Sequence, residues 1–234
     1  MIKPEDRNIY KPYKKLVNEA IDAFIASNNR KPILLDAGCG HSSTLEEEYT
    51  RCAKVIGVDV DKAGLDQNQW VDEKYVADLT QMPLEDNSVD IIVSEWVLEH
   101  IEKPEKFLTE CARVLNNQDG FFLFITPNKW SPYSIVTRLV PNKLHGAIVK
   151  FFYKRPTADT FPTFFRMNSE KTLTKLMQEY GFVKTSLIFN DDPLYMSFWK
   201  ITKPLAQLWQ IILRLKFLTR VKAHIIGNYR RKML

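Results

Sequence analysis

The sequence is poor in the residues that would cross-link a small protein or bind a structural metal ion. Its 234 residues include three cysteines, and Cys39, Cys52 and Cys111 lie too far apart to form a C-x-x-C pair. Disulfide scaffolds and zinc sites use more cysteines at closer spacing. The cysteine pattern therefore disfavours a disulfide-rich secreted protein and predicts reduced thiols in a cytoplasmic protein.

Long apolar runs are missing as well. No stretch reaches the roughly 18 uninterrupted apolar residues that a membrane-spanning helix requires. The N-terminal segment "MIKPEDRNIYKPYKK" has no apolar core of the kind that secretory signals contain. With 45% hydrophobic and 26% charged residues, the composition is that of a globular protein, and the length suits one large domain.

Acidic residues are absent from the C-terminal end. Residues 201–234 contain eight Lys or Arg and no Asp or Glu, although the whole chain carries a net charge of only +5. An apolar stripe runs through the same segment: Leu205, Leu208, Trp209, Ile212 and Leu215. The pattern predicts a domain over residues 1–204 and a basic amphipathic helical tail over residues 205–234. Such a tail suits peripheral contact with an anionic membrane, or self-association, and nucleic-acid binding is not expected because long aliphatic residues interrupt the basic ones.

Glycine is also scarce, with eight in the chain, yet two of them flank Cys39 in "ILLDAGCGHSSTL", residues 33–45. A glycine turn between a strand and a helix lets a ligand approach the backbone closely, near a helix N-terminus. A dinucleotide-binding turn would carry a third glycine where Ser43 stands. The turn therefore predicts a nucleoside-type ligand and disfavours a nicotinamide-dependent oxidoreductase.

Strand and helix patterns alternate along the chain. Apolar runs predict five strands, at residues 32–36, 54–60, 74–79, 88–95 and 120–128. Helical spacing predicts four helices, at residues 12–27, 42–50, 104–115 and 169–182. "FVKTSLIFN" and "LYMSFWKIT", joined by "DDP", predict an antiparallel hairpin. The expected fold is α/β: a doubly wound, Rossmann-like, mostly parallel seven-stranded sheet with a C-terminal antiparallel hairpin, an inserted lid and the helical tail.

Acidic residues end two of these strands. Asp59 ends the second strand 19 residues after Gly40, where an acid can accept hydrogen bonds from ribose hydroxyls. Asp78 ends the third strand, where a carboxylate can accept a hydrogen bond from an adenine amino group. Either acid alone would also serve as a helix cap. Together with the glycine turn, they predict an adenosine-binding edge of the sheet.

The segments "LLDAGCG", "VIGVDVD" and "VADLTQMPLEDNSVDIIVSEWVLEHI" resemble the class I S-adenosylmethionine-dependent methyltransferases, especially the branch that includes the quinone-biosynthesis enzymes. The resemblance implies S-adenosylmethionine as cofactor. It places Asp36, Gly38 and Gly40 along the methionine part, Asp59 at the ribose, Val60, Asp78 and Leu79 at the adenine, and Ser94 at the methyl-donor end. A third glycine is common in this family two residues after Gly40, where this chain has Ser42.

Residues 127–168 form a long connection that is rich in aromatic residues and holds seven Lys or Arg but one acid. We expect a lid over the acceptor, with Trp130 and Tyr133 contacting an apolar or ring-bearing group and Arg155 and Arg166 contacting an anionic one. A lid with only a structural core of its own is the alternative. If the acceptor is a hydroxyl, it needs a general base, and His145 and His100 are the candidates.

The predicted activity is methyl transfer from S-adenosylmethionine to a small molecule, lipid-like or saccharide-linked, by in-line displacement. A binding or scaffold protein without turnover is the alternative outside the enzymes. Glu95, Glu99 and His100 could suggest a metal ion. Relatives with such a site have a glutamate where this chain has Trp96, so no metal is expected.

Overall fold

The structure is a computed structural model that describes residues 9–139, 161–191, 211–212 and 215–232. Seven strands form one sheet in the order β3-β2-β1-β4-β5-β7-β6. The strands are β1 (Ile33–Ala37), β2 (Lys54–Asp59), β3 (Glu73–Val76), β4 (Ile91–Glu95), β5 (Phe121–Pro127), β6 (Phe182–Asn190) and β7 (His224–Arg231). Strands β1 to β5 pair in parallel, and β7 is antiparallel to both β5 and β6. The predicted doubly wound, mostly parallel sheet is confirmed.

Helices cover both faces of the sheet. They are α1 (Lys11–Asn28), α2 (Glu46–Tyr49), α3 (Lys62–Gln67), α4 (Pro104–Val114), α5 (Pro132–Leu139) and α6 (Glu170–Glu179). Helices α1, α2 and α3 contribute to one apolar core, and α4 and α6 contribute to the other. Successive strand residues alternate between the cores, so that Leu34 packs with α1 and Leu35 packs with α4.

The three longer predicted helices, at residues 12–27, 104–115 and 169–182, are confirmed as α1, α4 and α6. The Ser169 hydroxyl accepts a hydrogen bond from the Thr172 amide and begins α6. The helix expected over residues 42–50 is shorter, because α2 begins only at Glu46. In the loop before it, the Ser43 hydroxyl accepts a hydrogen bond from the Leu45 amide. Side-chain bonds of this kind compete with helix formation.

The second strand of the C-terminal hairpin is not where the sequence pattern placed it. Strand β7 pairs with β6 and is formed by residues 224–231, whereas "LYMSFWKIT" lies outside the described residues. The prediction of a helical tail, and of a domain boundary at residue 204, is therefore wrong for residues 224–231. The physical reason is burial: Ile225 packs in the core with α4 and Ile226 in the core with α1.

The rest of the predicted tail is only partly described. Residues 211–212 are helical, a 3-10 helix spans Lys216–Val221, and Leu215 is exposed between them. Leu205, Leu208 and Trp209 lie outside the described residues, so membrane contact or self-association through this stripe stays a prediction. Over the ranges that the structure describes, no helix is both long and apolar enough to cross a membrane.

Candidate active site

The glycine turn follows β1 and is tied to the end of β2. The Gly38 amide donates to the Val58 carbonyl at 2.8 Å, and the Gly40 amide donates to the Asp59 carboxylate at 2.8 Å. Both glycines have positive φ angles, 83° and 48°. Because β1 and β2 are parallel neighbours with Ala37 opposite Val58, the turn and the strand-end acid meet at one edge of the sheet, as predicted.

The two glycines are needed for different reasons. A Cβ atom on Gly38 would lie 2.3 Å from the Val97 Cγ2 atom, whereas a Cβ atom on Gly40 would have no neighbour within 4 Å. Gly38 therefore makes room for a side chain of the protein, in addition to its φ angle. Gly40 borders open space, which is what a ligand at this turn requires.

We expect Gly38→Ala to destabilise the fold by about 2–4 kcal/mol, since it combines overpacking against Val97 with a left-handed alanine. Gly40→Ala should cost only about 1–2 kcal/mol, because backbone strain alone acts there. Urea unfolding of both variants measures the difference. Equal destabilisation of the two variants would contradict the assignment of Gly38 to packing.

The predicted adenosine residues lie at the ends of β2 and β3. The Asp59 carboxylate also accepts from the Asp61 amide at 2.8 Å, and each of its oxygens keeps a second lone pair for a ligand. The Val60 side chain is 55% exposed beside it. Asp78 is exposed and accepts from the Thr80 amide at 2.7 Å. Leu79 instead packs in the core, so its side chain does not face this edge.

Asp36, assigned to the methionine part, and Ser94, assigned to the methyl-donor end, are both buried. The Asp36 side chain accepts a hydrogen bond from the Tyr49 hydroxyl at 2.6 Å, and the Tyr49 oxygen accepts one from Ser43 at 2.9 Å. Burial raises the pKa of Asp36 to about 7. The Ser94 hydroxyl donates to the Ala37 carbonyl at 3.0 Å. The Ser94 hydrogen bond thus joins the end of β4 to the end of β1, and the Tyr49 hydrogen bond joins α2 to β1.

Glu95 is a site residue that the sequence pattern did not single out for the cofactor. Its Oε1 atom accepts a hydrogen bond from the Thr44 hydroxyl at 2.8 Å. Burial, together with the nearby Asp36 carboxyl, raises the pKa of Glu95 to about 8. The only sequence signal was an acid directly after a buried strand, in "SEW".

Trp96 has a φ angle of 60°, which is unusual for a bulky residue and is concentrated at functional sites. Its indole nitrogen donates to the Tyr10 hydroxyl at 3.1 Å, and its ring meets the His224 ring edge-on at 5.0 Å. Trp96 therefore connects the N-terminal segment and the start of β7 to the end of β4. Sequence reasoning could not place His224 here, because it assigned that residue to the tail.

On the acceptor side, a buried polar chain joins β5 to the segment before α6. The Asn168 amide donates to the Thr126 hydroxyl at 2.6 Å, and Thr126 donates to the Glu99 carboxylate at 3.0 Å. Burial raises the pKa of Glu99 to about 7. The Glu99 carbonyl accepts from the Phe164 amide at 2.7 Å. This end of the lid segment is therefore held against the residues that follow β4.

His100 lies in the same region. Its Nδ1 atom is 2.8 Å from the Pro162 carbonyl oxygen, and its ring contacts the Phe161 ring at 6.0 Å. A carbonyl can only accept, so Nδ1 carries the hydrogen and Nε2 keeps its lone pair. Burial lowers the pKa of His100. The imidazole is therefore neutral at pH 7 and available as a base.

The other predicted acceptor residues that the structure describes lie at or near the protein surface. The Trp130 side chain is 55% exposed, with the Lys129 ammonium 5.3 Å from its ring. Tyr133 is half-buried in α5, and Arg166 is exposed. His145 and Arg155 lie outside the described residues, so their predicted roles stay predictions. In the part of the chain that the structure describes, no three His, Cys, Asp or Glu residues are grouped as metal ligands.

Comparison with known proteins shows which family the sequence resembles. A family model described as a methyltransferase domain matches residues 35–124, from β1 into β5. A probable S-adenosylmethionine-dependent methyltransferase of Mycolicibacterium smegmatis is 36% identical over 100 residues, which cover 41% of this chain and 38% of that protein. Residues 35–124 thus match the domain of S-adenosylmethionine-dependent methyltransferases. The matched range includes the glycine turn, Asp59 and Glu95.

Two further comparisons bear on this methyltransferase domain. A ubiquinone biosynthesis O-methyltransferase of Hahella chejuensis is 29% identical over 115 residues, which cover 46% of this chain and 48% of that protein. The chain thus spans less than half the length of either relative. A solved methyltransferase structure from Mesorhizobium loti superposes with a TM-score of 0.60 at 14% identity, covering 97% of this chain and all of that one. At this identity the superposition shows the shared fold.

The residues of the methyltransferase domain fit S-adenosylmethionine. Gly40 leaves open space where the nucleoside would approach the turn, and Asp59 lies beside it with lone pairs available for ribose hydroxyls. The Tyr13 hydroxyl is fully buried beside the Ser94 backbone, and burial raises its pKa.

Proposed function

We propose that the protein transfers a methyl group from S-adenosylmethionine to a hydroxyl of an apolar small molecule. The observation that supports it best is the open space beside Gly40, next to Asp59, within the range that matches the methyltransferase domain. The acceptor is proposed to be lipid-like, or an apolar group linked to a saccharide. A binding protein without turnover is the competing proposal.

The cofactor, when bound, supplies an electrophilic methyl group on a sulfonium that an acceptor oxygen displaces in line. The protein's own contribution is positioning, which accounts for much of the catalysis in such reactions. Asp59 fixes the turn through the Gly40 amide and orients the ribose. Ser94 joins the end of β4 to the end of β1, and Asp36 binds Tyr49 of α2, so that the residues proposed for the methyl-donor end have a fixed position.

Two exposed aromatic side chains lie on the proposed acceptor side. The Phe161 and Phe164 side chains are 49% and 37% exposed, and both flank the residues that follow β4. Exposed aromatic groups beside an active site favour an apolar or ring-bearing acceptor. The name of the Hahella chejuensis relative, an O-methyltransferase of ubiquinone biosynthesis, supports an acceptor with a ring hydroxyl.

His100 is proposed to accept the hydroxyl proton. Its Nδ1–H donates to Pro162, which fixes the ring and leaves Nε2 as the proton acceptor. The lowered pKa keeps the imidazole neutral at pH 7, so it needs no prior deprotonation. His145 stays the other proposed base.

The direct test is methyl transfer from labelled S-adenosylmethionine to a panel of phenols, prenylated phenols and lipid-linked saccharides, with products identified by mass spectrometry. Transfer to one hydroxyl class is the expected result. Tight binding of S-adenosylmethionine without any product across the panel would favour the binding protein, and tight binding of NAD instead would favour an oxidoreductase.

Asp59→Ala should weaken S-adenosylmethionine binding by about 1.5–3 kcal/mol, the range for hydrogen bonds to a charged group. Titration calorimetry measures the change. Asp66→Ala is the matched control, because that acid is exposed and its ion pair in the described part of the chain is with Lys62. An unchanged affinity in the Asp59 variant would remove this residue from the binding site.

A further inference from the structure

Three segments of the chain meet at the carboxyl end of β5. The Asn128 side chain donates to the carbonyls of Arg220 and Lys222, at 2.8 and 2.9 Å. The Lys129 amide donates to the Asn168 carbonyl at 2.8 Å. These hydrogen bonds bring together the segments that form what we call the β5-end face: residues 128–135, residues 161–168 and the described part of residues 211–222.

Exposed apolar side chains are concentrated on the β5-end face. Among the described residues, ten large apolar side chains are exposed, and six of them belong to this face. Their exposed fractions lie between 37% and 59%, and they are Trp130, Ile135, Phe161, Phe164, Ile211 and Leu215. Single exposed apolar residues are ordinary, but a group of this size marks a surface that contacts another molecule.

The charged residues of the β5-end face have one sign. Lys129, Arg166, Arg220 and Lys222 lie on it, and its three segments contain no Asp or Glu. The nearest acid along α6 is Glu170, which pairs with Arg220 at 2.9 Å. A face that is both apolar and basic matches the surface of a bilayer with anionic lipids, where apolar side chains enter the head-group boundary and cations meet the phosphates.

Trp130 fits this boundary by its own chemistry. Its side chain is 55% exposed, and the Lys129 ammonium lies 5.3 Å from its ring. Tryptophan is enriched at membrane interfaces because its ring is apolar and its N–H is polar. A second copy of this chain is a poorer match, because a symmetric dimer through the β5-end face would bring its basic residues against one another.

We propose that the β5-end face docks on a membrane surface that contains anionic lipids. The face borders the proposed acceptor side, since the ring of Phe161 contacts that of His100 at 6.0 Å. A lipid-like acceptor would therefore reach the site from the bilayer without crossing water. The docking itself needs no methyl transfer, so it goes beyond the proposed function and can be tested separately.

Sedimentation with vesicles is the direct test. The wild type should bind vesicles that mix phosphatidylcholine with anionic phosphatidylglycerol, and it should bind vesicles of phosphatidylcholine alone at least tenfold more weakly. High salt should release much of the bound protein, because it screens the attraction of the basic residues to the lipid phosphates.

The apolar contribution is tested by the double variant Trp130→Ser, Leu215→Ser. It should bind the anionic vesicles about 10- to 100-fold more weakly, because two large apolar groups no longer leave water on docking. The matched control is Trp70→Ser, Val183→Ser, which removes two exposed apolar side chains of similar exposure, 44% and 50%, outside the β5-end face. The control should bind like the wild type, and thermal unfolding verifies that both variants are folded.

The charge contribution is tested by Lys129→Glu, Lys222→Glu. Reversal of two charges on the face should weaken binding to the anionic vesicles at least tenfold. The matched control is Lys74→Glu, Lys184→Glu, which makes the same change of net charge at exposed positions of β3 and β6. The control should retain most of the wild-type binding, since these two strands are the outermost strands of the sheet and neither position belongs to the β5-end face.

Three results would overturn the proposal. A wild type that stays in solution with the anionic vesicles has no such docking face. Variants of the β5-end face that bind as tightly as their controls would move the membrane contact to another part of the chain. A wild-type dimer that Trp130→Ser, Leu215→Ser converts to a monomer, measured by light scattering, would assign the face to self-association. Each of these results leaves methyl transfer standing, because the acceptor panel is assayed without vesicles.

Discussion

A chain that ends at Ala223 is expected not to fold. Strand β7 would be missing, and it lies between β5 and β6 with hydrogen bonds to both. Its removal exposes the sites of Ile225, Ile226 and Tyr229, which are fully buried. Burial of three such side chains contributes roughly 5–9 kcal/mol, which is comparable to the total stability of about 5–15 kcal/mol of an ordinary domain.

Point variants test the same statement without a truncation. Ile226→Ala should lower the free energy of unfolding by about 2–5 kcal/mol, the range for a large buried aliphatic residue. Lys232→Ala is the control, because this residue lies just after β7 and is exposed. Urea unfolding compares the two. A chain ending at Ala223 with unchanged thermal stability would restore the interpretation of residues 224–231 as a separable tail.

His100→Gln is expected to lower kcat about 100- to 10,000-fold, the range for loss of a general base, once the hydroxyl acceptor is known. The affinity for S-adenosylhomocysteine should stay within twofold, because His100 contacts the lid segment and not the glycine turn. The glutamine amide can still donate to the Pro162 carbonyl, so the local fold is retained. Glu102→Gln is the control, at an exposed position two residues away.

The pH dependence of kcat separates catalysis from a structural role. The pKa of His100 is below its ordinary value because burial disfavours the charged form. The base form therefore persists below the usual range near 6.5, and kcat of the wild type should fall only as the pH drops through this lowered pKa. The variant should lack that acidic limb. A variant with the same limb and the same kcat would contradict the assignment of His100 as the base.

The sequence alone was sufficient to predict the part of the fold that follows from the order of strands and helices along the chain. Strands β1 to β5 are short apolar runs that alternate with helices, and a parallel sheet follows from that alternation. The glycine turn and Asp59 could be placed together, because the carboxyl ends of adjacent parallel strands meet at one edge. The family resemblance rested on the same residues, and the matched range of 35–124 confirms it.

The tertiary structure decided what depends on distant partners. The sequence pattern predicted residues 224–231 as part of a basic amphipathic helical tail. They form a strand instead, because β5 and β6 offer backbone hydrogen-bonding groups and the side chains pack into two apolar cores, neither of which a local pattern reveals. The sequence predicted that Gly38 contacts the ligand, yet the space that a side chain on Gly38 would need is occupied by the Val97 side chain. The pKa of Glu95 is raised by burial and by the Asp36 carboxyl, and its side chain is held by Thr44; both residues are more than 50 positions earlier in the chain. The burial of a side chain and the charges around it depend on packing between segments that are remote in the sequence. Sequence spacing therefore determined where the site lies, and only the packing determined which groups face the ligand.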